Sequence, residues 1–243
     1  MYALEDRYWW YRGVHDLIVR CLMNEAGARR LRILDAGCGT GKLMTLLAPF
    51  GDVSGIDGSE DALRFCRERG LSKVAFADLN RWEAKGAGYD VITSIDVLCH
   101  ESIRDVGAVV GRLGDALAPG GLLILNLPAF ESLRRQHDVV VQTVRRYRRE
   151  EFLPLLETRD FRVEAATYRL PVLYCLIRVK KALFPDGPGV EPRSDLRTIS
   201  PAIDELLWQM NRFENWAILR GARFPVGSSL FVVARRGAMD GSR

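Results

Sequence analysis
The segment ILDAGCGTG, residues 33–41, sets glycines at alternate positions, Gly37, Gly39 and Gly41, directly after an apolar run that reaches Asp35. Glycine adopts backbone conformations closed to other residues, and without a side chain it lets a ligand approach the main chain closely. An apolar strand that enters such a turn and leaves it as a helix is a ligand-binding turn. Its spacing is not that of a dinucleotide site. Lys42 stands where the third glycine of G-x-G-x-x-G would fall, and Asp35 at the strand end would repel a pyrophosphate. A carboxylate in that place suits a cationic ligand.

The elements that must position this turn are legible in the periodicity. Trp10, Val14, Leu17 and Cys21 repeat at the spacing of one helical face, which predicts a leading amphipathic helix over about residues 4–28. From residue 31 the period changes to short apolar runs closed by Gly or Asp: LRILDAG, DVSGID, KVAFAD, YDVITSID and GLLILNLP. Helical segments separate them, the clearest over 101–117, where Ile103, Val106, Val110, Leu113 and Leu117 share a face. Strands alternating with helices predict a parallel sheet covered on both sides, an open α/β fold. A helix over about 149–158 and a strand over about 161–169 follow. Before the last strand, SSLFVVARR, come the apolar and basic segment VLYCLIRVKKALF, a Pro/Gly-rich loop over 185–193, and a helix opened by Ser200 and Pro201 and closed near Gly221. The stretch 172–222 reads as a helical insertion, so 1–243 is expected to be one domain.

Composition narrows the class. The 243 residues are 48% hydrophobic, enough for a sizeable core, and the net charge of +4 does not by itself imply nucleic acid. The start, MYALEDRYWW, lacks the pattern of a signal peptide, and no run of apolar residues is long enough to span a membrane. Cys21, Cys38, Cys66, Cys99 and Cys175 lie far apart with no C-x-x-C pair, which argues against a disulfide framework or thiolate zinc site and fits a reducing cytoplasm. No clustered ligands suggest a metal.

LDAGCGTG matches the D-x-G-x-G-x-G motif at every fixed position, and with it the chain resembles the class I S-adenosylmethionine-dependent methyltransferases. The resemblance runs in order and spacing over about 31–127, through GIDGS, FADLN, YDVITSID and LAPGGLLIL. It implies a Rossmann-like, doubly wound sheet of seven strands, mostly parallel with an antiparallel last strand. It also implies S-adenosylmethionine as cofactor, with S-adenosylhomocysteine as product, held by the turn Gly37, Cys38, Gly39, Thr40 and Gly41. Asp57 would accept both ribose hydroxyls, with Gly58 and Ser59 beside it. Asp78 and Leu79 would border the adenine, and Ile95 would close the fourth strand beside the cofactor. The chemistry agrees: a carboxylate at the carboxyl end of the second strand points into the crevice, and its two oxygens match a vicinal diol. The plainer role for Asp57 is to cap the next helix.

The flanks, RYWWYRG near the start, HD followed by RRY, and ENWAILRGARFPVGSSLFVVARR at the end, resemble a bacterial branch of these enzymes that often acts on small molecules or lipid-linked glycans. That branch commonly has a His before the Trp pair and an Arg pair after it, where this chain has Arg7-Tyr8 and Gly13-Val14, so substrate identity does not carry over. The leading helix is expected to lie over the crevice as a lid of residues 1–29, with Trp10 in the core stripe and Tyr8, Trp9, Tyr11, Arg12 and His15 available to cover cofactor and acceptor. Otherwise these aromatics only pack.

Asp96, His100 and His137 stand after strands four and five, where an acceptor should sit. His137 beside Asp138 is the favoured base, with a loop histidine or hydrogen-bond donor as its other readings; His100 can instead cap a helix. Arg146 and Tyr147, in RRYRR, offer an anion site or simply a solvated helix start. VLYCLIRVKKALF reads as a pocket cap or as a membrane-surface helix. The expected function is methyl transfer to a small-molecule acceptor, anionic or lipid-like, in the cytoplasm. DNA is disfavoured, since SIDVLCH lacks the elements of DNA-methylating enzymes. A non-catalytic nucleotide-binding protein, an RNA or protein methyltransferase and a nicotinamide oxidoreductase are the competing readings.

Overall fold
The computed structural model describes residues 5–27, 29–84, 86, 88–183 and 199–237. Seven strands form one sheet: β1 (Leu31–Ala36), β2 (Gly51–Asp57), β3 (Val74–Phe76), β4 (Tyr89–Ile95), β5 (Leu117–Pro128), β6 (Phe161–Arg169) and β7 (Ser229–Arg236). Their order is β3-β2-β1-β4-β5-β7-β6. β7 runs antiparallel between β5 and β6, and every other pairing is parallel. This is the doubly wound architecture with one reversed strand, and the strand order turns about β1 and β4, where such sheets bind ligands.

The central strands are apolar throughout because both sheet faces are covered. Leu34, Ile92, Leu123 and Val232 enter one core, under α4 (Val106–Ala116) and α6 (Arg149–Glu157). Their neighbours Ile33, Val91, Ile124 and Val233 enter the other, together with Val14, Leu17, Ile18 and Leu22 of α1 (Trp9–Ala26) and Leu43 and Leu47 of α2 (Lys42–Leu47). Each fully buried Leu or Ile contributes roughly 1.5–3 kcal/mol. The sheet therefore gives the turn after β1 a rigid base.

The leading helix starts at Trp9, later than its periodicity suggests. Tyr8 is extended, and the first helical N–H, that of Trp9, donates to Asp204 Oδ1 at 3.0 Å. Asp204 belongs to α8 (Pro201–Leu219), which lies against α1. At their crossing a Cβ on Gly13 would fall 2.4 Å from Asn211 Oδ1, so the glycine permits the approach. Asn215 Nδ2 adds bonds to Gly13 O and Asp16 Oδ2 at 2.9 and 2.8 Å. Likewise α4 starts at Val106, not 101, because Asp105 accepts from Ala108 N at 2.9 Å and fixes the N-terminus there. α3 (Glu60–Glu68) follows β2, α5 (Gln136–Val140) follows β5, and α7 (Pro171–Leu183) follows β6. Ser200 caps α8 through Ile203 N, whereas the Pro/Gly-rich loop at 185–193 lies outside the described residues. Among the described residues no helix is long and apolar enough to cross a membrane.

Candidate active site
The turn after β1 holds Gly37, Gly39 and Gly41 at φ of +83°, +53° and +81°, conformations that favour glycine. Gly37 and Cys38 both donate to Ile56 O, at 2.8 and 3.0 Å, which ties the turn to β2. Asp57, at the end of β2, accepts from Gly39 N on Oδ2 at 2.8 Å and from Ser59 N on Oδ1 at 2.9 Å. The helix-capping task falls to Ser59, whose hydroxyl accepts from Ala62 N. Each Asp57 oxygen thus keeps capacity for a second donor.

A cavity of about 970 Å³ opens along the carboxyl ends of β1 to β4. In the order of the strands at whose ends they stand, Phe76, Asp78 and Leu79 line it at β3, Asp57, Gly58 and Ser59 at β2, Gly37 at β1, and Asp96 and His100 at β4. Phe76 is 56% exposed, a ring left open on the cavity wall. Asn80 donates its backbone and side-chain N–H groups to Asp78 Oδ1 at 2.9 and 2.6 Å, which holds that carboxyl below its usual range. Asp35 is buried, accepts from the Thr93 hydroxyl at 2.8 Å and is pushed up to about 7 by burial. Ile95 packs into the core on the α1 side.

Asp96 follows β4 with φ of +52°, a strained conformation for a residue with a side chain. Burial pushes its carboxyl up to about 6. Asn126 Nδ2 donates to it at 2.9 Å, and Asn126 Oδ1 accepts from Arg169 at 3.3 Å. Because an arginine only donates, it fixes which way the amide points and so presents the N–H to Asp96. Arg169 is fully buried at the end of β6, with a further bond to Asn211 at 3.1 Å and, among the described residues, no partner for its Nε.

The aromatic helix comes down beside this group. Tyr11 lies within electrostatic reach of Asp96 and of Glu5, and burial raises its hydroxyl well above the ordinary range. His15 is buried and held down to about 4 by desolvation, with the charges of Lys42, Arg169 and Arg69 acting the same way. Trp9 is buried, Trp10 half-buried, and Tyr8 half-buried with its ring 5.8 Å from that of Trp9. Arg12 points elsewhere: it pairs with Asp204 at 3.4 Å and lies over Trp208, so it joins α1 to α8 rather than meeting a ligand.

Arg146 and Tyr147 of RRYRR are also spent inside the fold. Arg146 is paired with buried Asp138 at 2.6 Å and donates to Ala129 O, and Tyr147 is buried with its hydroxyl on Leu98 O. An anion is therefore not met by a free Arg146. Asp138 is engaged in this way, and His137 sits half-buried on α5 and is not among the residues that line the cavity of about 970 Å³. His100 Nδ1 accepts from Ser102 N at 3.1 Å, leaving Nε2 to donate to Gln142 Oε1 at 3.0 Å on the rim. Glu5 was not singled out by the sequence, yet its carboxylate bonds the Thr40 hydroxyl on the glycine turn. No local motif marks it, because only the folded chain brings it there. Among the described residues no group of three His, Cys, Asp or Glu is placed to hold a metal ion.

Residues 7–166 match the family model described as a methyltransferase domain. The chain belongs to this family. The methyltransferase domain is 34% identical over 122 residues to trans-aconitate 2-methyltransferase of Variovorax paradoxus, covering 48% of this chain and 44% of that one. It is 30% identical over 123 residues to the ubiquinone biosynthesis O-methyltransferase of Azorhizobium caulinodans, covering 46% and 48%. The chain thus spans under half the length of these relatives. In fold it is similar to an S-adenosylmethionine-dependent methyltransferase from Mesorhizobium loti, with TM-score 0.57, 21% identity, and 90% and 96% of the two chains covered.

The site's own groups fit S-adenosylmethionine. Asp57 has acceptor capacity for a diol, and the open ring of Phe76 gives a flat base a surface to cover. A Cβ on Gly58 would meet only Ala77 O, at 3.7 Å, so that edge of the cavity is bare main chain. The cavity volume lies in the range of pockets for such ligands.

Proposed function
We propose that this domain transfers the methyl group of S-adenosylmethionine to a small-molecule acceptor that meets Asp96 beneath the aromatic helix. The observation that carries the reading is Asp57, which ties the glycine turn to the cavity while keeping acceptor capacity on both oxygens. When bound, the cofactor supplies an electrophilic methyl on a sulfonium. The turn Gly37 to Gly41 and Asp57 hold it, with Asp78 accepting from the adenine amino group and Leu79 and Phe76 against the base. Asp35 adds negative charge beneath the turn, which favours a cationic ligand over a pyrophosphate.

Transfer is an in-line displacement, so the residues' main task is alignment, which can supply up to roughly 7–11 kcal/mol. Where the acceptor must lose a proton, Asp96 takes it: it lines the cavity, Asn126 holds it in one orientation, and its value of about 6 leaves it ionised and moderately basic at neutral pH. It replaces His137 as the favoured base. Tyr11, within electrostatic reach of Asp96, and buried His15 sit on the helix that would exclude water. The named activities of the two relatives, on trans-aconitate and in ubiquinone biosynthesis, support an acceptor of small-molecule size. In this reading 1–243 is one domain, 1–29 is its lid and 172–222 its cap, and the free cysteines suit a reducing cytoplasm.

The test is transfer of labelled methyl from S-adenosylmethionine into cell extract separated into small-molecule, lipid, protein and nucleic-acid fractions. Label in a small-molecule or lipid product supports the reading, and label confined to RNA or protein overturns it. With the acceptor in hand, Asp96→Asn is expected to lower the turnover number about a hundredfold or more while leaving S-adenosylhomocysteine affinity unchanged. A larger loss in His137→Ala than in Asp96→Asn would reverse the assignment.

A further inference from the structure
We infer that Glu5 is a cofactor ligand, its carboxylate accepting from the α-ammonium at the amino-acid end of S-adenosylmethionine, so that the arm before α1 closes on the cofactor by a charged contact. This rests on the cofactor reading above.

Glu5 stands four residues before Trp9 and is only 8% exposed. Its carboxylate bonds the Thr40 hydroxyl, and a Cβ on Gly39 would lie 3.8 Å from its Oε1. It therefore packs on the main chain of the middle glycine, the same residue whose N–H is held by Asp57 at 2.8 Å. Asp57 and Asp78 account for ribose and adenine at one end of the cavity. With the nucleoside held there, the non-nucleoside end is left to meet the glycine turn, where Glu5 lies against Gly39 and Thr40; Tyr11 is within electrostatic reach of both Glu5 and Asp96.

Among the described residues the buried carboxylate has few partners. Beyond the Thr40 hydroxyl it has Arg69 at 3.7 Å, and that guanidinium already donates to Thr40 O at 2.9 Å and to Asp6 at 3.3 Å. Burial accordingly pushes the Glu5 carboxyl up, an imbalance that an ammonium would relieve. The arm does not depend on Glu5 for its place. Asp6 is clamped by Lys42 at 2.6 Å and by Arg69, so the backbone stays over the turn when the Glu5 charge is removed.

The experiment is calorimetric titration of wild type and Glu5→Gln with S-adenosylhomocysteine and with 5′-methylthioadenosine, which lacks the amino-acid end. Glutamine keeps an oxygen for the Thr40 hydroxyl and loses only the charge. The expected result is a loss of about ten- to a hundredfold in S-adenosylhomocysteine affinity, with 5′-methylthioadenosine bound as tightly as by wild type. Glu5→Asp, which returns the charge on a shorter stem, is expected to recover part of the loss. Equal losses for both nucleosides would mean that the arm merely folds through Glu5, and would overturn the inference. Unchanged or tighter S-adenosylhomocysteine binding in Glu5→Gln would overturn it too, the latter by showing that Glu5 competes with the cofactor. If wild type bound neither nucleoside, the cofactor reading itself would fail. If wild type bound both and Glu5→Gln did not differ, Glu5 alone would be misassigned.

Discussion
Replacing Asp35 with Asn tests the electrostatics beneath the glycine turn. The carboxyl is 3% exposed, and burial pushes it from an ordinary 3.8 up to about 7. The Thr93 hydroxyl opposes this shift, while the charges of Asp57 and Glu5 add to it. Between those two values the folded chain keeps a proton that the unfolded chain has released. Stability therefore falls as pH rises from about 4 to 7, by roughly 4 kcal/mol at 1.36 kcal/mol per unit. Asparagine does not titrate and still accepts from Thr93, so Asp35→Asn should gain on wild type by up to that amount between pH 4 and pH 8. Urea denaturation of both proteins at pH 4, 6 and 8 measures the difference, in which the titrations of Glu5, Asp96 and His15 largely cancel. A difference that stays constant with pH would refute the argument that burial governs this carboxylate. The functional counterpart has the opposite direction. A bound cation favours ionised Asp35, so wild-type affinity for S-adenosylmethionine should rise with pH up to and beyond about 7, whereas Asp35→Asn should bind more weakly and without that rise.

His15 is held neutral down to about 4, so it makes the fold sensitive to acid: the unfolded imidazole gains a proton below 6.5 and the folded one does not. Wild type should lose about 3 kcal/mol of stability between pH 6.5 and 4 relative to His15→Gln, read by the same denaturation series. Arg146→Met strands buried Asp138 and should cost about 3–5 kcal/mol, while the double variant Arg146→Met with Asp138→Leu should recover much of it; thermal melts of the two decide whether the pair acts as a unit. Asp57→Ala should weaken S-adenosylhomocysteine binding about ten- to a hundredfold by calorimetry, and an unchanged dissociation constant would remove Asp57 from the ribose site.

What could be read from the sequence were features whose cause is local. The glycine turn announces itself because positive φ at Gly37, Gly39 and Gly41 needs glycine, and the strand-end carboxylates Asp57 and Asp78 are fixed by the strands they close. The sheet followed from the short apolar runs closed by Gly or Asp, apolar throughout because neighbours such as Ile33 and Leu34 enter opposite cores. Charges in the flanks were less legible, since their partners come from remote segments. Arg146 looked available in RRYRR, but Asp138 takes it; Arg12 looked like a ligand residue, but Asp204 takes it. The start of α1 shifted for the same kind of reason, Trp9 being capped from α8, whereas α4 starts at Val106 because of its own local cap, Asp105. Asn126 and Arg169 carried no signal at all: an Asn in an apolar strand and an Arg at another strand's end acquire meaning only when β7 sets them in one buried chain with Asp96.

The close crossing of Gly13 and Asn211 also bears on how the protein is made. The chain leaves the ribosome from its N-terminus, so Trp9 and Gly13 emerge long before Asp204 and Asn215, which lie 195 and 202 residues further on. Until then α1 has only the short α2 and the growing sheet to lie against, and its aromatic row must be sheltered by these or by a chaperone. Contacts of such sequence separation form late and slow folding. The active site is therefore completed late: a nascent chain holding the glycine turn and Asp57 has the cofactor end of the site, but the helix over Asp96 is not fastened until the segment with Asp204 and Asn215 arrives.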